Sequence, residues 1–165
     1  MIEIKKIKKK DVCKKWVNYL NDPIVTRFSI HSKRKHTLKS QNQFVKEKLQ
    51  DRNCIIFKIL FKKKFIGTAE IKNIDNINKY AEVSYMIGDK SMWGRGIGTI
   101  AVKKTIMFAK KKLKINKIGA MIMHNNIYSE KVLKNNNFKQ FGIIKEFYIK
   151  NNKKINKVFF IKHLT

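Results

Sequence analysis

Proline and cysteine are scarce in this 165-residue chain: proline occurs once, at Pro23, and cysteine twice, at Cys13 and Cys54. The cysteines do not form a C-x-x-C pair, so no metal or redox motif is indicated. The four histidines follow no metal-ligand spacing either, and we expect no metal site. Two cysteines in moderately apolar surroundings are typical of small buried residues in a reducing compartment.

Long apolar stretches are missing as well. No run approaches the ~18 residues that a transmembrane helix needs. The first ten residues, MIEIKKIKKK, lack the apolar core of a signal peptide. We therefore expect a cytoplasmic protein without a membrane partner.

Acidic residues are few: 11 Asp and Glu stand against 39 Lys and Arg, which gives a formal net charge of +28. Such a charge is typical of nucleic-acid-binding proteins. Lysine, asparagine and isoleucine are, however, enriched along the whole chain rather than in one basic patch. Because charge alone supports only solubility and non-specific binding, we do not expect a nucleic-acid partner.

The hydrophobic pattern predicts a single mixed α/β domain over residues 1–165. Helical and β-type spacings alternate, with neither an internal repeat nor a linker between them. The predicted order is strand, helices, three strands, helix, strand, helix and two strands. The later predicted strands are Cys54–Phe61, Phe65–Ile71, Ala81–Gly88, Ile118–Met123, Phe138–Ile149 and Lys157–Leu164.

Three alternating glycines, Gly94, Gly96 and Gly98, separate a predicted strand from a predicted helix. Glycine lets the backbone approach a ligand closely, and the free N–H groups at a helix start bind anions. No Asp or Glu occurs from Lys90 through Ser129, which favours a phosphate-bearing ligand. A Walker loop is excluded because Gly98 is followed by Thr99 without the required lysine. A dinucleotide site is disfavoured because the glycines are spaced G-x-G-x-G rather than G-x-G-x-x-G, and no acidic residue follows at the distance needed to bind the ribose.

Two motifs resemble those of the GNAT acetyltransferase superfamily. The first joins the strand that ends at Gly88 to the loop Trp93–Thr99, and it is similar to the acetyl-CoA motif R/Q-x-x-G-x-G/A. The second runs from Asn126 to Phe138 and is similar to the family signature N-x-x-[A/S]-x-x-[V/L]-x-x-K-x-G-F. Asn137 replaces the signature glycine, and Asn tolerates the left-handed conformation. In detail the motifs resemble the branch of ribosomal-protein N-terminal and amino-sugar acetyltransferases.

The resemblance covers nearly the whole chain and implies both fold and cofactor. We expect a GNAT-like, mostly antiparallel sheet of about seven strands, flanked by about four helices, with a splayed central strand pair that binds CoA. Acetyl-CoA would serve as co-substrate, without a metal, and the Ile87 N–H would polarise its carbonyl. The implied cofactor-binding residues are Met86, Ile87, Gly88, Trp93, Gly94, Arg95, Gly96, Ile97, Gly98, Thr99, Asn126 and Ser129.

Glu82 is the candidate general base. Side chains alternate along a strand, so Glu82 shares a face with Ser84 and Met86 that leads toward the expected thioester site. The alternative is a structural role for Glu82, either facing solvent or paired with a lysine. Glu70, on the neighbouring predicted strand, is the reserve candidate.

Ser129 is the candidate for assisting departure of the CoA thiol. Leu133 stands where many family members carry a tyrosine general acid, which leaves the serine hydroxyl to contact the sulfur directly or through water. A serine has little acidity of its own, so positioning is its expected role. The alternative is an ordinary first-turn helix residue that satisfies backbone groups.

Four basic residues, Arg27, His31, Arg34 and His36, lie in the segment where the family places its acceptor. They fit an anionic acceptor or are simply solvated charges. We predict direct acetyl transfer to a primary amine, with a nucleotide-linked amino sugar ahead of a peptide N-terminus as acceptor. The alternative is a non-catalytic basic module that binds CoA or RNA. Apolar residues in the final strands also suggest a homodimer.

Overall fold

The structure is a computed structural model that describes residues 1–30, 32 and 34–164. Four helices and seven strands make up its regular elements, apart from two short 3-10 turns. The strands are β1 Ile2–Lys6, β2 Ile55–Phe61, β3 Lys64–Asp75, β4 Tyr80–Ile87, β5 Lys117–Met123, β6 Lys139–Lys150 and β7 Lys153–His163. The helices are α1 Lys14–Asn21, α2 Leu38–Gln50, α3 Ile97–Leu113 and α4 Ile127–Asn135.

All seven strands form one sheet in the order β1-β2-β3-β4-β5-β7-β6. Neighbouring strands run antiparallel except for β4 and β5, which are parallel. The predicted mixed sheet with four helices is therefore confirmed. The single parallel step is made by α3, because a parallel connection needs a crossover element to bring the chain back.

The β4–β5 pair is splayed. Its register covers three residue pairs only: Tyr80 with Lys117, Ala81 with Ile118, and Glu82 with Gly119. On its other side β4 stays paired with β3 as far as Ile87. From Val83 onward, β4 therefore borders a crevice where a parallel partner would otherwise lie, as the sequence resemblance predicted.

Helix α3 covers one face of the sheet with a stripe of small and branched residues. Ala101 and Val102 have no solvent exposure, and Ile106 is 6% exposed, in one cluster with Val83 of β4 and Ile118 of β5. Each buried branched side chain contributes about 1.5–3 kcal/mol relative to exposure. This packing holds the first turn of α3, and the glycine loop before it, at the end of β4.

The opposite face carries α1 and α2 above a smaller apolar cluster that includes Trp16, Val45 and Ile56. The Trp16 ring packs on Phe65 of β3, with 5.8 Å between the ring centroids. Helix α2 begins at Thr37, whose side chain accepts a hydrogen bond from the Ser40 N–H. The two helices leave a cavity above the middle of β3 and β4.

Two turns use the left-handed region at non-glycine residues, and two strands are longer than predicted. Lys62 and Lys63 form the two-residue β2–β3 turn, with φ values of 47° and 65°. Asn137 has a φ of 60°, as expected where the signature glycine is replaced. Strand β3 continues past the predicted end at Ile71, because its pairing with β4 resumes beyond an irregularity and reaches Asp75. Strand β7 begins at Lys153 rather than Lys157, because its ladder with β6 continues to the Lys150–Lys153 pair.

The outer surface bears on two further expectations. Within the described part of the chain, we find no helix with the length and apolar character needed to cross a membrane.

The edge strand β6 exposes large apolar side chains, including Phe141 at 76% and Ile149 at 78%. The homodimer and the cytoplasmic location stay predictions.

Candidate active site

The glycine loop forms a backbone cradle at the start of α3. Gly94 and Gly96 have φ values of 74° and 71°, and an added Cβ would meet no described atom within 4 Å at either position. Only glycine adopts this left-handed backbone without strain. The Ile100 N–H is the first in α3 to bond within the helix, to the Gly96 carbonyl. The N–H groups of residues 97–99 precede it and are available to an anion.

The end of β4 is held against this loop. The Trp93 indole Nε1 donates to the Ile87 carbonyl over 2.8 Å, and the Gly88 N–H donates to Ile66 on β3 over 2.8 Å. Because successive N–H groups of a strand point to opposite edges, the Ile87 N–H faces away from β3. It therefore faces the crevice between β4 and β5.

Helix α4 brings Ser129 to the same crevice. Asn126 caps the helix, and its Oδ1 accepts from the Ser129 N–H over 3.2 Å. Tyr85 Oη donates to Ser129 Oγ over 3.3 Å. Leu133 occupies the position at which the resembling sequences often have a tyrosine. Its side chain is 2% exposed and belongs to the main core. Ser129 thus carries the hydroxyl that α4 presents beside β4.

Glu82 lies at the start of β4, where β4 and β5 are still paired. It is 8% exposed, and its Oε2 finds no hydrogen-bond partner among the described residues. Burial raises the pKa of the Tyr80 phenol, and the adjacent Glu82 carboxylate raises it further. Along the strand, Glu82 precedes Met86 by four residues, or about 13 Å. It falls outside the set of described residues that line the α1–α2 cavity.

Glu70 lies directly across from Ser84 in the β3–β4 register. Ser84 Oγ donates to its Oε2 over 3.2 Å, and Cys54 Sγ donates to its Oε1 over 3.1 Å. Lys48 Nζ from α2 is 3.1 Å from the same Oε1. Burial raises the pKa of the Cys54 thiol to about 12, so this thiol stays protonated and keeps donating. Glu70 is thus a fixed, ion-paired carboxylate.

The α1–α2 cavity has a volume of about 420 Å³ and lies over Glu70. Its floor is formed by β3 and β4, and its walls by α1, α2 and the segment between them. Arg34 and His36, two of the predicted acceptor residues, line this cavity; His31 lies outside the described residues. Other residues that line this cavity are Trp16, Leu20, Phe44, Glu70, Ser84 and Met86.

Arg27 connects the acceptor segment to both sides of the crevice. Its guanidinium carbon lies 5.0 Å from the Trp93 ring centroid and 5.3 Å from that of Tyr128, the residue before Ser129. Such cation–π contacts contribute about 0.5–2 kcal/mol each. The Lys150 ammonium donates to the backbone carbonyls of Arg27 and Ser29, which ties the end of β6 to this segment.

A second cavity, here called the basic groove, lies beyond Arg27 and has a volume of about 570 Å³. Its basic lining residues come from the acceptor segment, the end of β5 and the β6–β7 turn, and none of the described residues lining it is acidic. This composition favours a negatively charged ligand. The basic lining residues are Arg27, His124, Lys150, Lys153 and Lys154.

Comparison with known protein families gives a direct match. Residues 2–139 match the family model described as "Acetyltransferase (GNAT) domain". The chain belongs to the GNAT acetyltransferase family. It is an acetyl-CoA-dependent N-acetyltransferase. The acetyl-CoA and GNAT predictions are thereby confirmed, whereas the amino-sugar branch is not.

Individual relatives agree with this assignment. The chain is 30% identical over 135 residues to "Uncharacterized N-acetyltransferase p20" of Bacillus licheniformis, covering 78% of this chain and 74% of that one. Its fold is similar to RimL, a ribosomal L7/L12 alpha-N-protein acetyltransferase in complex with CoA, at a TM-score of 0.88 and 17% identity, covering 99% and 94%. Spermidine N-acetyltransferase from Vibrio cholerae, with CoA and spermine, matches at a TM-score of 0.88 and 15% identity, covering 98% and 95%. The two structural matches, at 17% and 15% identity, support the shared fold only.

The residues present fit acetyl-CoA, which supplies an activated acetyl thioester when bound. The open cradle at Gly94 and Gly96 and the N–H groups of residues 97–99 suit a pyrophosphate. The crevice beside β4 suits an extended chain that pairs with the strand edge. Among the described residues, no cluster of three His, Cys, Asp or Glu side chains is placed to hold a metal ion.

Sequence reasoning missed three features of this site. Arg27 was assigned to the acceptor, but its ring contacts with Trp93 and Tyr128 join segments distant in sequence. The phenol of Tyr85 reaches α4, and the buried Asn136 amide ties α4 to the Thr99 carbonyl over 3.1 Å. Strand alternation places Tyr85 on the opposite face from Glu82, but it does not reveal what packs on that face.

Proposed function

We propose that this N-acetyltransferase transfers acetyl directly from acetyl-CoA to a primary amine held in the α1–α2 cavity. The observation that carries the proposal is the position of Glu70, which lies in the cavity floor beside β4, the strand that leads to Met86. A covalent acetyl-enzyme on Cys54 is disfavoured because burial holds that thiol protonated. The chain needs only to orient the amine, accept its proton and stabilise the leaving thiol.

Glu70 is the proposed general base. It faces Ser84, two residues or about 7 Å before Met86, so it is closer to the end of β4 than Glu82 is. Three hydrogen-bonding groups use its oxygens, and a carboxylate accepts about four hydrogen bonds. One acceptor position is left for the amine, directly or through a water molecule. Glu82 remains the alternative base, and comparison of Glu82→Gln with Glu70→Gln tests its predicted role.

The backbone supplies the remaining contacts in this proposal. The N–H groups of Ile97, Gly98 and Thr99 would hold the pyrophosphate, and the Ile87 N–H would stabilise the carbonyl oxygen as it gains negative charge. As the nitrogen–carbon bond forms and the carbon–sulfur bond breaks, Glu70 takes a proton from the amine. Ser129 donates a hydrogen bond to the departing sulfur, which later takes its proton from solvent.

The proposed acceptor is an amine on an anionic carrier, in first place a nucleotide-linked amino sugar. Support comes from the basic groove, which adjoins the α1–α2 cavity across residues 26–29 and has no acidic lining residue among those described. A diphosphate would pair with Lys153 and would replace Glu146, whose Oε2 lies 2.6 Å from Lys154 Nζ, as the partner of Lys154. The amino sugar would then reach Glu70. The basic groove disfavours a polyamine, because a cationic acceptor would be repelled there.

A protein N-terminus is the second candidate acceptor. Its support is the fold similarity to the ribosomal-protein acetyltransferase RimL. The sequence motifs also resemble those of ribosomal-protein N-terminal acetyltransferases. The basic groove would then bind acidic residues that follow the N-terminus.

Release of CoA thiol from acetyl-CoA should be measured with four amines. These are a nucleotide-linked amino sugar, the same amino sugar without its nucleotide, a short acidic peptide with a free N-terminus, and spermidine. We expect the highest kcat/KM for the nucleotide-linked sugar. Preference for the peptide would establish the second candidate. Calorimetric CoA binding without thiol release from any of the four amines would overturn both candidate acceptors.

A charge-matched pair of variants tests the basic groove. Lys153→Gln with Lys154→Gln should lower kcat/KM for the nucleotide-linked sugar while leaving the free sugar unchanged. Lys111→Gln with Lys112→Gln, at the exposed far end of α3, removes the same charge and serves as control. Equal effects of both pairs would show that net charge, rather than the groove, attracts the acceptor.

A further inference from the structure

We propose that Tyr85 is a positioning residue that orients the Ser129 hydroxyl toward the CoA sulfur. This inference rests on the role proposed for Ser129, and it adds a residue from β4 to that role. Its basis is the hydrogen bond from Tyr85 Oη to Ser129 Oγ, 3.3 Å long, between two residues that are 44 positions apart in sequence.

The placement of Tyr85 follows from the splay of the sheet. It lies three residues beyond Glu82, the last residue of β4 with a partner on β5. Its side chain points to the α3–α4 face, opposite to Ser84 and Met86. With no β5 ladder beside it, the ring extends to the start of α4 and packs on the main core.

The first turn of α3 fixes the ring of Tyr85. A Cβ added at Gly98 would lie 3.1 Å from Tyr85 Cε2 and 3.3 Å from Cγ2 of Val132 on α4. The ring therefore lies between the first turn of α3 and α4, and a Cβ at position 98 would require these neighbours to shift by a few tenths of an ångström. Gly98 thus serves two purposes: its N–H belongs to the anion cradle, and its lack of a side chain leaves space for the tyrosine ring.

The hydrogen bonds around Ser129 restrict the direction of its hydroxyl proton. Its N–H is used by Asn126 Oδ1, and one lone pair of its hydroxyl accepts from Tyr85. A serine hydroxyl otherwise rotates freely, so a fixed donor on one side orients its own O–H elsewhere. Burial raises the pKa of the Tyr85 phenol, which keeps the phenol protonated and donating throughout the neutral range.

The ionisation of the CoA thiol in its complex with the protein tests this inference without any acceptor. A hydroxyl that donates to sulfur stabilises the thiolate, so the thiol of bound CoA should ionise at lower pH than that of free CoA. The rate of CoA alkylation by iodoacetamide, measured against pH by mass spectrometry of the CoA product, reports this value. The variants are Tyr85→Phe, Ser129→Ala and the double substitution, with Tyr148→Phe on β6 as the matched control.

We expect Tyr85→Phe and Ser129→Ala to move thiol ionisation toward that of free CoA by similar amounts, and the double variant to move it no further. In turnover, each single variant should lower kcat about five- to tenfold with little change in KM for acetyl-CoA, again without additivity. Tyr148→Phe should match the wild type in both measurements.

Three outcomes separate this inference from the proposed function. If Tyr85→Phe leaves thiol ionisation unchanged while Ser129→Ala shifts it, or if the two effects add, Tyr85 does not act through Ser129. If thiol ionisation responds as expected but no amine is acetylated, the proposed function fails and the inference stands. If bound CoA ionises like free CoA in the wild type, the inference and the role of Ser129 fail together.

Discussion

Ser84 Oγ donates a hydrogen bond of 3.2 Å to Oε2 of Glu70, and the two residues face each other in the β3–β4 register. This contact fixes the carboxylate of β3 against the neighbouring central strand β4. The same strand pair ends beside the glycine loop. The acceptor side and the cofactor side of the site are thereby built on one continuous piece of backbone.

Replacing Glu70 by Gln should distinguish the two candidate bases. The amide keeps the size of the side chain but does not accept a proton, so we expect kcat to fall about 10²- to 10⁴-fold. Glu82→Gln is the matched control and should leave kcat within about threefold, because Glu82 lies about 13 Å along the strand from Met86. The reverse pattern would establish Glu82 as the base, as the sequence hypothesis holds.

Replacing Gly96 by Ala should weaken both the fold and CoA binding. Its φ of 71° disfavours a Cβ, so the free energy of unfolding should fall by about 1–2 kcal/mol. Strain in the loop should also misdirect the N–H groups of α3 and lower CoA affinity in calorimetry. Gly142→Ala is the control, because an added Cβ there meets no described atom within 4 Å and its φ lies outside the left-handed region. A CoA affinity in Gly96→Ala equal to that of the wild type would contradict the phosphate role of the loop.

Replacing Asn137 by Gly should stabilise the protein. The residue follows α4 with a φ of 60°, and glycine adopts this conformation at lower cost than asparagine. We expect a gain of about 0.5 kcal/mol in the free energy of unfolding, measured by urea denaturation, and a loss of about 1 kcal/mol for Asn137→Ala. Equal stability of the two variants would show that the left-handed backbone is not the determinant at this position.

The Asp11–Lys58 ion pair should make stability depend on acid pH. Burial opposes ionisation of Asp11, but hydrogen bonds from the Lys58 ammonium and the Lys8 N–H hold the pKa of its carboxyl below the ordinary value. A lowered pKa in the folded state means that the stabilisation is complete above pH ~4 and is lost as the pH falls through the folded value.

We therefore expect Asp11→Asn to be less stable than the wild type at pH 7, with a difference that shrinks below pH ~4 in urea denaturation. Glu3→Gln removes an exposed carboxylate that pairs with Lys5, and it should change stability less. A stability difference between wild type and Asp11→Asn that stays constant with pH would contradict a role for the Asp11 charge.

Local sequence patterns were sufficient for much of the fold. Short apolar runs predicted β2 and β5, and the apolar stripe from Val102 to Ala109 predicted α3, because each pattern reflects which residues of an element are buried. Strand ends were predicted less well. The extension of β3 to Asp75 depends on pairing with β4, and an interaction between strands leaves no periodic signal in either one alone.

The cofactor loop was readable from sequence because its chemistry is local. Glycines at alternate positions, followed by a helix start, create their own anion cradle from consecutive N–H groups. The positions of the acids and hydroxyls were not readable in this way. Glu82 and Glu70 look alike in a strand, and only the register and the placement of α2 put Glu70 in the cavity floor and Glu82 at the paired start of β4 and β5, outside the cavity lining.

The sequence by itself determined the family, the order of the elements and the loop that holds the cofactor, because each of these depends on residues close together in the chain. Tertiary structure alone decided which carboxylate lies in the cavity and which hydroxyls meet in the crevice. Tyr85 reaches Ser129, and Arg27 stacks on Trp93, across long separations in sequence. Such contacts form only when the sheet splays and the helices pack on it, since side-chain distances are set by packing rather than by residue type.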